Sequence, residues 1–206
     1  MAQLRSCCCS TYRQEIRVTK LIGISGSLRR GSLNTALLRA AKAALPPEAE
    51  LEIKTLHGIP LYDGDVEERD GIPPSVSTLK SAIIAADGLL LATPEYNNGI
   101  PGVFKNGIDW LSRPASDIQR VFGGKPIALI GASPGRFGTL LAQSAWLPVL
   151  RTLRTNPWFG GRMMLSQAHS VLGEGGAIND PAIQEQLSQF LRGFVDFVER
   201  STKPSA

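Results

Sequence analysis

Cysteine is confined to one run, Cys7-Cys8-Cys9, and the body of the chain has none. That excludes a disulfide framework for the domain. Three adjacent cysteines also lack the spacing of metal ligands, and His57 and His169 stand isolated in the sequence. Long apolar runs are missing: stretches such as 88–92 fall far short of the roughly 20 residues that cross a bilayer. A marked charge imbalance is missing too. The net charge is +4, but Arg5, Arg13, Arg17 and Lys20 against Glu15 place +3 of it in residues 1–20, leaving +1 for the rest. Neither a nucleic-acid partner nor a membrane is expected. The leader has no apolar core of the kind that marks a secretory signal, although its Ser/Arg-containing, acid-poor character has something of a transit peptide. It reads as a disordered, reduced segment over 1–17 of a cytoplasmic protein.

At 206 residues, with 43% hydrophobic and 19% charged content, the chain suits one globular domain. We place that domain over 18–200, followed by a tail over 201–206.

Strand and helix patterns alternate along it. A β-branched run over 18–24 closes on Gly-Ser, and Leu33, Leu37, Leu38, Ala41, Ala44 and Leu45 then recur at helical spacing until Pro46-Pro47. Residues 51–56 alternate as a second strand. The stretch 57–74, rich in Gly, Pro and acids, is expected to be a long surface loop. A helix over about 75–86 leads to an apolar run over 88–93, the mark of a central parallel strand covered on both faces. Another helix over 101–111 stops at Pro114, and 126–133 forms a second continuous apolar strand. The helix that follows should begin near Gly138, with a kink or early stop at Pro148. A last strand is expected around 162–165. Asp180 and Pro181 then start a helix whose stripe is Ile183, Leu187, Phe190, Leu191, Phe194, Val195 and Val198. This order predicts an α/β, flavodoxin-like, three-layer doubly wound parallel five-stranded sheet, ordered 2-1-3-4-5.

In such a sheet ligands bind at the carboxyl ends of the strands, where the winding direction reverses. Three loops converge there, 25–34, 94–99 and 133–138, and they are the most unusual loops in the sequence. The first combines close-approach glycines with the hydroxyls of Ser27 and Ser32, the Asn34 amide and the Arg29 charge, which suits an anion at a helix start. Two phosphate signatures are absent. Glycines at 23, 26 and 31 do not fit the dinucleotide pattern, and the second strand ends Thr55-Leu56-His57 with no acid; a P-loop would need a lysine before Ser32. A terminal monophosphate, as in FMN, fits better. The second loop offers Pro94 and Tyr96 as flat apolar surface and Asn97 as a polar reader, a mixed wall that a ring system needs. The same residues also fit a plain turn with Tyr96 over the core, and loop chemistry does not choose between them.

Two long motifs carry a resemblance. Gly26-Ser27-Leu28-Arg29-x-x-Ser32-x-Asn34, together with Pro94-Glu95-Tyr96-Asn97…Pro101-Gly102-x-x-Lys105-Asn106-x-Ile108-Asp109-Trp110, closely resembles the NAD(P)H-dependent FMN reductase family. The resemblance spans about residues 18–200. It implies that Ser27, Arg29, Ser32, Leu33 and Asn34 hold the FMN phosphate end. Pro94, Glu95, Tyr96 and Asn97 would line the ring, with Ser133 and Gly135 adding contacts. It implies hydride transfer from NADPH or NADH, then two electrons to a quinone, azo, nitro or metal-oxyanion acceptor or to free flavin. It also implies a homodimer, through the 105–110 segment, with a tetramer left open: Asn98 stands where relatives often have an aromatic, and 143–148 departs from their usual sequence. Arg113 and Arg136 are candidates for the dinucleotide or an anionic acceptor, against ordinary surface solubility. A flavodoxin-type carrier or a non-enzymatic FMN-binding regulator is the alternative reading.

Overall fold

The computed structural model describes residues 17–202, so the expected leader, apart from Arg17, lies outside the described residues. Six parallel strands form one sheet: β1 (Thr19–Ser25), β2 (Ala49–Lys54), β3 (Gly88–Ala92), β4 (Pro126–Ala132), β5 (Asn156–Pro157) and β6 (Met163–Leu165). Their order is β2-β1-β3-β4-β5, with β6 also on β4, so the flavodoxin-like order 2-1-3-4-5 holds.

The period-2 geometry of the strands sorts their side chains into two cores. Leu21, Leu51, Leu90, Ala128 and Ile130 face α1 (Leu33–Ala43) and α8 (Pro181–Thr202). Ile22, Ile24, Leu89, Leu91 and Ile127 face α3 (Pro74–Ala85), α4 (Gly102–Leu111) and α6 (Leu140–Thr152). β3 is buried at every position, which is why it reads as a continuous apolar run. Asp180 caps α8, its Oδ1 accepting from the Ala182 and Ile183 N–H groups at 2.8 and 3.4 Å.

Three expectations are corrected. The loop 57–74 contains a helix, α2 (Gly64–Asp70), capped by the Asp63 side chain and ended by Gly71 at φ 76°. None of its residues is buried, so it carries no apolar period to find. The helix expected to break at Pro148 runs on to Thr152. Proline removes the partner of the Ser144 carbonyl, but Ser144 and Pro148 are both exposed, so water can take its place. The single last strand is two short ones, β5 and β6, which share the lane beside β4 on either side of an excursion over 158–162. Among the described residues there are also two smaller α-helices, α5 (Ile118–Val121) and α7 (Ala168–Val171), and two 3-10 turns, Ala115–Asp117 and Glu174–Gly176, and α8 extends two residues beyond the expected domain end at 200.

Candidate functional site

The first loop enters from β1 with the Gly26 N–H donating to the Ala92 carbonyl at the end of β3, 2.9 Å away. A Cβ on Gly26 would lie 2.2 Å from the Phe104 ring, so no other residue fits there without displacement. Ser27 is buried and its Oγ accepts from the Arg29 N–H at 3.3 Å, which tightens the turn. Arg29 and Arg30 are exposed. Ser32 is the N-cap of α1, its Oγ accepting from the Thr35 N–H at 3.1 Å.

The N–H groups of Leu33 and Asn34, in the first turn beyond that cap, have no intrahelical acceptor, as helix geometry requires. No acid occupies the first turn of this 11-residue helix. Its positive end therefore has no carboxylate in the first turn, and exposed Arg29 and Arg30 stand three and two residues before the Ser32 cap, a donor set that fits a phosphate.

Asn34 is tied into the fold by its side chain. It is 3% exposed, with Nδ2 donating to the Ala132 carbonyl (2.8 Å) and Oδ1 accepting from the Ala132 N–H (2.9 Å). One amide hydrogen and the carbonyl are thereby committed to the end of β4, fixing the first loop against the third.

The second loop is a tight hairpin. Tyr96 and Gly99 exchange backbone hydrogen bonds of 3.2 and 3.1 Å, and Asn97 and Asn98 both have positive φ, 50° and 61°. This is the primed two-residue turn for which Asn is suited. Tyr96 is 47% exposed, so it does not cover the core, and with buried Pro94 it leaves an apolar wall at the strand ends.

Glu95 turns the other way. Its Oε2 accepts from the Leu141 and Ala142 N–H groups at 2.8 and 2.9 Å, capping α6 from a different loop; the local N-cap, Thr139, makes no side-chain cap bond. The carboxylate thus joins the second loop to the helix that follows the third.

The third loop hangs on β6 and α7. Ser133 donates its N–H to the Leu165 carbonyl (3.0 Å), accepts at its own carbonyl from Ala168 (3.0 Å), and accepts at Oγ from the Gly135 N–H (3.1 Å). Gly131 is required just before it: a Cβ would fall 1.9 Å from the Thr139 Oγ1. All three loops therefore leave the carboxyl ends of β1, β3 and β4, the first tied to the third through Asn34 and the second to α6 through Glu95.

Several supporting residues carry no sequence signal. His57 Nε2 lies 3.1 Å from the Leu28 carbonyl and braces the first loop. Thr93 is fully buried and its Oγ1 accepts from the Trp146 indole at 3.1 Å. Each pairing is tertiary, so no local stretch of the sequence contains it.

Of the two arginines singled out, Arg113 is already paired. Its Nε donates to the Glu67 Oε2 at 2.7 Å, and the Tyr62 hydroxyl donates to the same oxygen at 2.9 Å. The Arg113 hydrogen bond holds the Glu67 carboxyl below the ordinary carboxylate range, and the bond to Glu67 raises the Tyr62 hydroxyl. This cluster fastens α2 to α4. Within α4, Phe104, Ile108, Trp110 and Leu111 pack inside the chain, Trp110 donating to the Pro60 carbonyl, while Lys105 and Asp109 pair on the outer face at 2.7 Å.

Comparison with known proteins places this geometry. The family described as NADPH-dependent FMN reductase matches residues 19–170. An NAD(P)H-dependent FMN reductase of Pseudomonas aeruginosa is 43% identical over 181 residues, spanning 88% of this chain and 96% of that protein. A quinone reductase of Escherichia coli is 32% identical over 186 residues, with 88% and 96% covered. Among solved structures, a flavoenzyme NAD(P)H:(acceptor) oxidoreductase from Paracoccus denitrificans superposes with a TM-score of 0.80 at 32% identity, covering 89% of this chain and 99% of that one. The chain belongs to the NADPH-dependent FMN reductase family.

Proposed function

We propose that residues 18–200 form a single FMN-binding domain that oxidises NAD(P)H and reduces quinones or related acceptors. The observation that carries the reading is the start of α1, where the first-turn N–H groups lack intrahelical acceptors, no carboxylate stands in the first turn, and Ser27, Arg29 and Ser32 lead in. Ser27, Arg29, Ser32 and the Leu33 and Asn34 N–H groups would hold the FMN phosphate. Pro94, Tyr96 and Asn97 would line the ring, with Ser133 and Gly135 at its other side. Bound FMN supplies the redox chemistry, taking a hydride equivalent from NAD(P)H and yielding two electrons to the acceptor. The protein's part is placement: the Gly26, Asn34 and Glu95 hydrogen bonds hold the three loops in fixed relation.

Quinone, azo, nitro and metal-oxyanion compounds and free flavin are the acceptors to assay; the names of the relatives favour quinones. A homodimer is supported by the likeness of the 105–110 segment to a family contact. A cytoplasmic site is supported by a body free of cysteine, which gains nothing from an oxidising compartment.

The test is anaerobic mixing of the FMN-loaded protein with NADPH or NADH. Loss of flavin absorbance within seconds is expected; no bleaching with either donor refutes the reductase reading. The double variant Ser27→Ala/Arg29→Ala should purify nearly free of flavin, each lost charge-assisted bond costing about 1.5–3 kcal/mol. Normal flavin content in that variant refutes the phosphate assignment.

A further inference from the structure

Phe137 is 81% exposed, the most exposed aromatic among the described residues, and it lies in the third loop, a few residues beyond Ser133. Its segment, Gly135-Arg136-Phe137-Gly138, is the tip of the third loop. Both flanks are tied down. The Gly135 N–H donates to Ser133 Oγ (3.1 Å) and its carbonyl accepts from the Gln167 N–H (3.0 Å). Gly138, at φ 62°, packs so closely that a Cβ would meet the Met164 carbonyl at 3.1 Å. The tip is therefore held out from a fixed base, and Arg136 and Phe137 are what it presents.

Arg136 is exposed, and none of the ion pairs among the described residues uses it. Arg113, by contrast, is committed to Glu67. Glu95 joins Tyr96's loop to the helix just beyond this tip, so two aromatic-bearing loops flank one end of the sheet with a cation between glycines on one of them.

We propose that Arg136 and Phe137 form the docking site for the reduced dinucleotide, Arg136 meeting a phosphate and Phe137 one of the planar rings. This rests on the reductase reading. The chemistry selects the dinucleotide over the acceptor: a guanidinium suits phosphate oxygens and an aromatic face suits a flat ring, and NAD(P)H carries both, whereas a neutral quinone carries only the second. The arrangement assigns the two cosubstrates different determinants although they use the same flavin.

The experiment compares Arg136→Ala, Arg136→Lys and Phe137→Ala with wild type as FMN-loaded proteins. Anaerobic stopped flow is run with NADPH, NADH and the phosphate-free donor N-benzyl-dihydronicotinamide, and titration calorimetry with NADP+ reads binding without turnover. Arg136→Ala is expected to raise the NAD(P)H concentration for half-maximal reduction, and the NADP+ Kd, about 10-fold or more. Its reduction by the benzyl donor and its reoxidation by benzoquinone should stay at wild-type rates. Arg136→Lys should recover part of the loss, and the salt dependence of wild-type dinucleotide binding should fade in Arg136→Ala. Phe137→Ala should weaken NADP+ binding several-fold, with recovery in Phe137→Trp.

Unchanged NADP+ affinity in Arg136→Ala and Phe137→Ala overturns the proposal. So does an equal loss with the benzyl donor in Arg136→Ala, which would place that residue in support of the flavin instead. A change of oligomeric state without a change in NADP+ affinity would make the tip a subunit contact and also overturn it. A wild-type protein reduced by the benzyl donor but indifferent to NADPH and NADH sinks the docking role alone. One refractory to all three sinks the reductase reading itself.

Discussion

Replacing Glu95 tests whether the second and third loops are mechanically one unit. The carboxylate accepts two hydrogen bonds, 2.8 and 2.9 Å, from the first turn of α6. Bonds to a charged group contribute about 1.5–3 kcal/mol each when dry. Glu95 is only half-buried, so water recovers much of that when the side chain is removed. The scale of side-chain caps, about 0.5–2 kcal/mol, plus about 0.3–1 kcal/mol for a carboxylate at a helix N-terminus, is the better guide. Glu95→Ala should then lose about 2 kcal/mol, which for a domain of this size lowers the melting temperature by about 4–8 °C. Glu95→Gln keeps an acceptor and loses the charge, so about half that loss is expected.

Stability alone would not separate a cap from general damage, so amide exchange at Leu141 and Ala142 is the sharper assay. Those two amides should lose protection in Glu95→Ala while the middle of α6, around Trp146, keeps it. FMN affinity should fall with them if the second loop lines the ring as proposed, since that loop loses its tether. A Glu95→Ala protein with wild-type melting temperature and protected Leu141 and Ala142 amides would refute the reasoning.

Asn34→Ala strands the buried N–H and C=O of Ala132 at once, and about 2–4 kcal/mol should disappear from the urea unfolding free energy; an unchanged midpoint and slope would count against the staple. Glu67→Gln addresses pH. The Glu67 carboxyl titrates lower in the folded chain than in the unfolded one, so its pairing with Arg113 adds stability above the ordinary carboxylate range that drains away as pH falls through the lowered value. Wild type should therefore lose urea resistance as pH falls through and below the ordinary carboxylate range, and Glu67→Gln should be weaker at neutral pH with a shallower acid decline. Parallel pH profiles would contradict that sign.

Much of the architecture was legible because it depends on local pattern. Leu89, Leu90 and Leu91 read as a doubly covered strand, and the Asp180-Pro181 start of α8 is a cap that acts within three residues. α2 was invisible because it buries nothing, and its hold on the fold comes from Glu67, which accepts from Arg113 just beyond α4 and from Tyr62, rather than from an apolar face. At the site, the position of the three loops follows from sheet topology, and the hydroxyls and Arg29 announce an anion. The functions of Asn34 and Glu95 were harder to read. Their partners stand 98 and 46–47 residues away, so no local window contains the interaction. Each residue looks like a ligand contact in sequence and serves in part as a joint in space.

The divided lane beside β4 has a bearing on how the molecule meets copies of itself. An outermost strand is a row of unpaired amides and carbonyls on which another chain can crystallise as an extra strand. Here that border consists of two residues, a five-residue detour and three more residues, so no straight template of useful length is offered. The opposite border, β2, alternates Glu50, Glu52 and Lys54 with its apolar positions, and charge does there what interruption does at β5 and β6. Closing the detour by deleting residues 158–162 and fusing the two short strands should therefore turn a well-behaved border into an adhesive one.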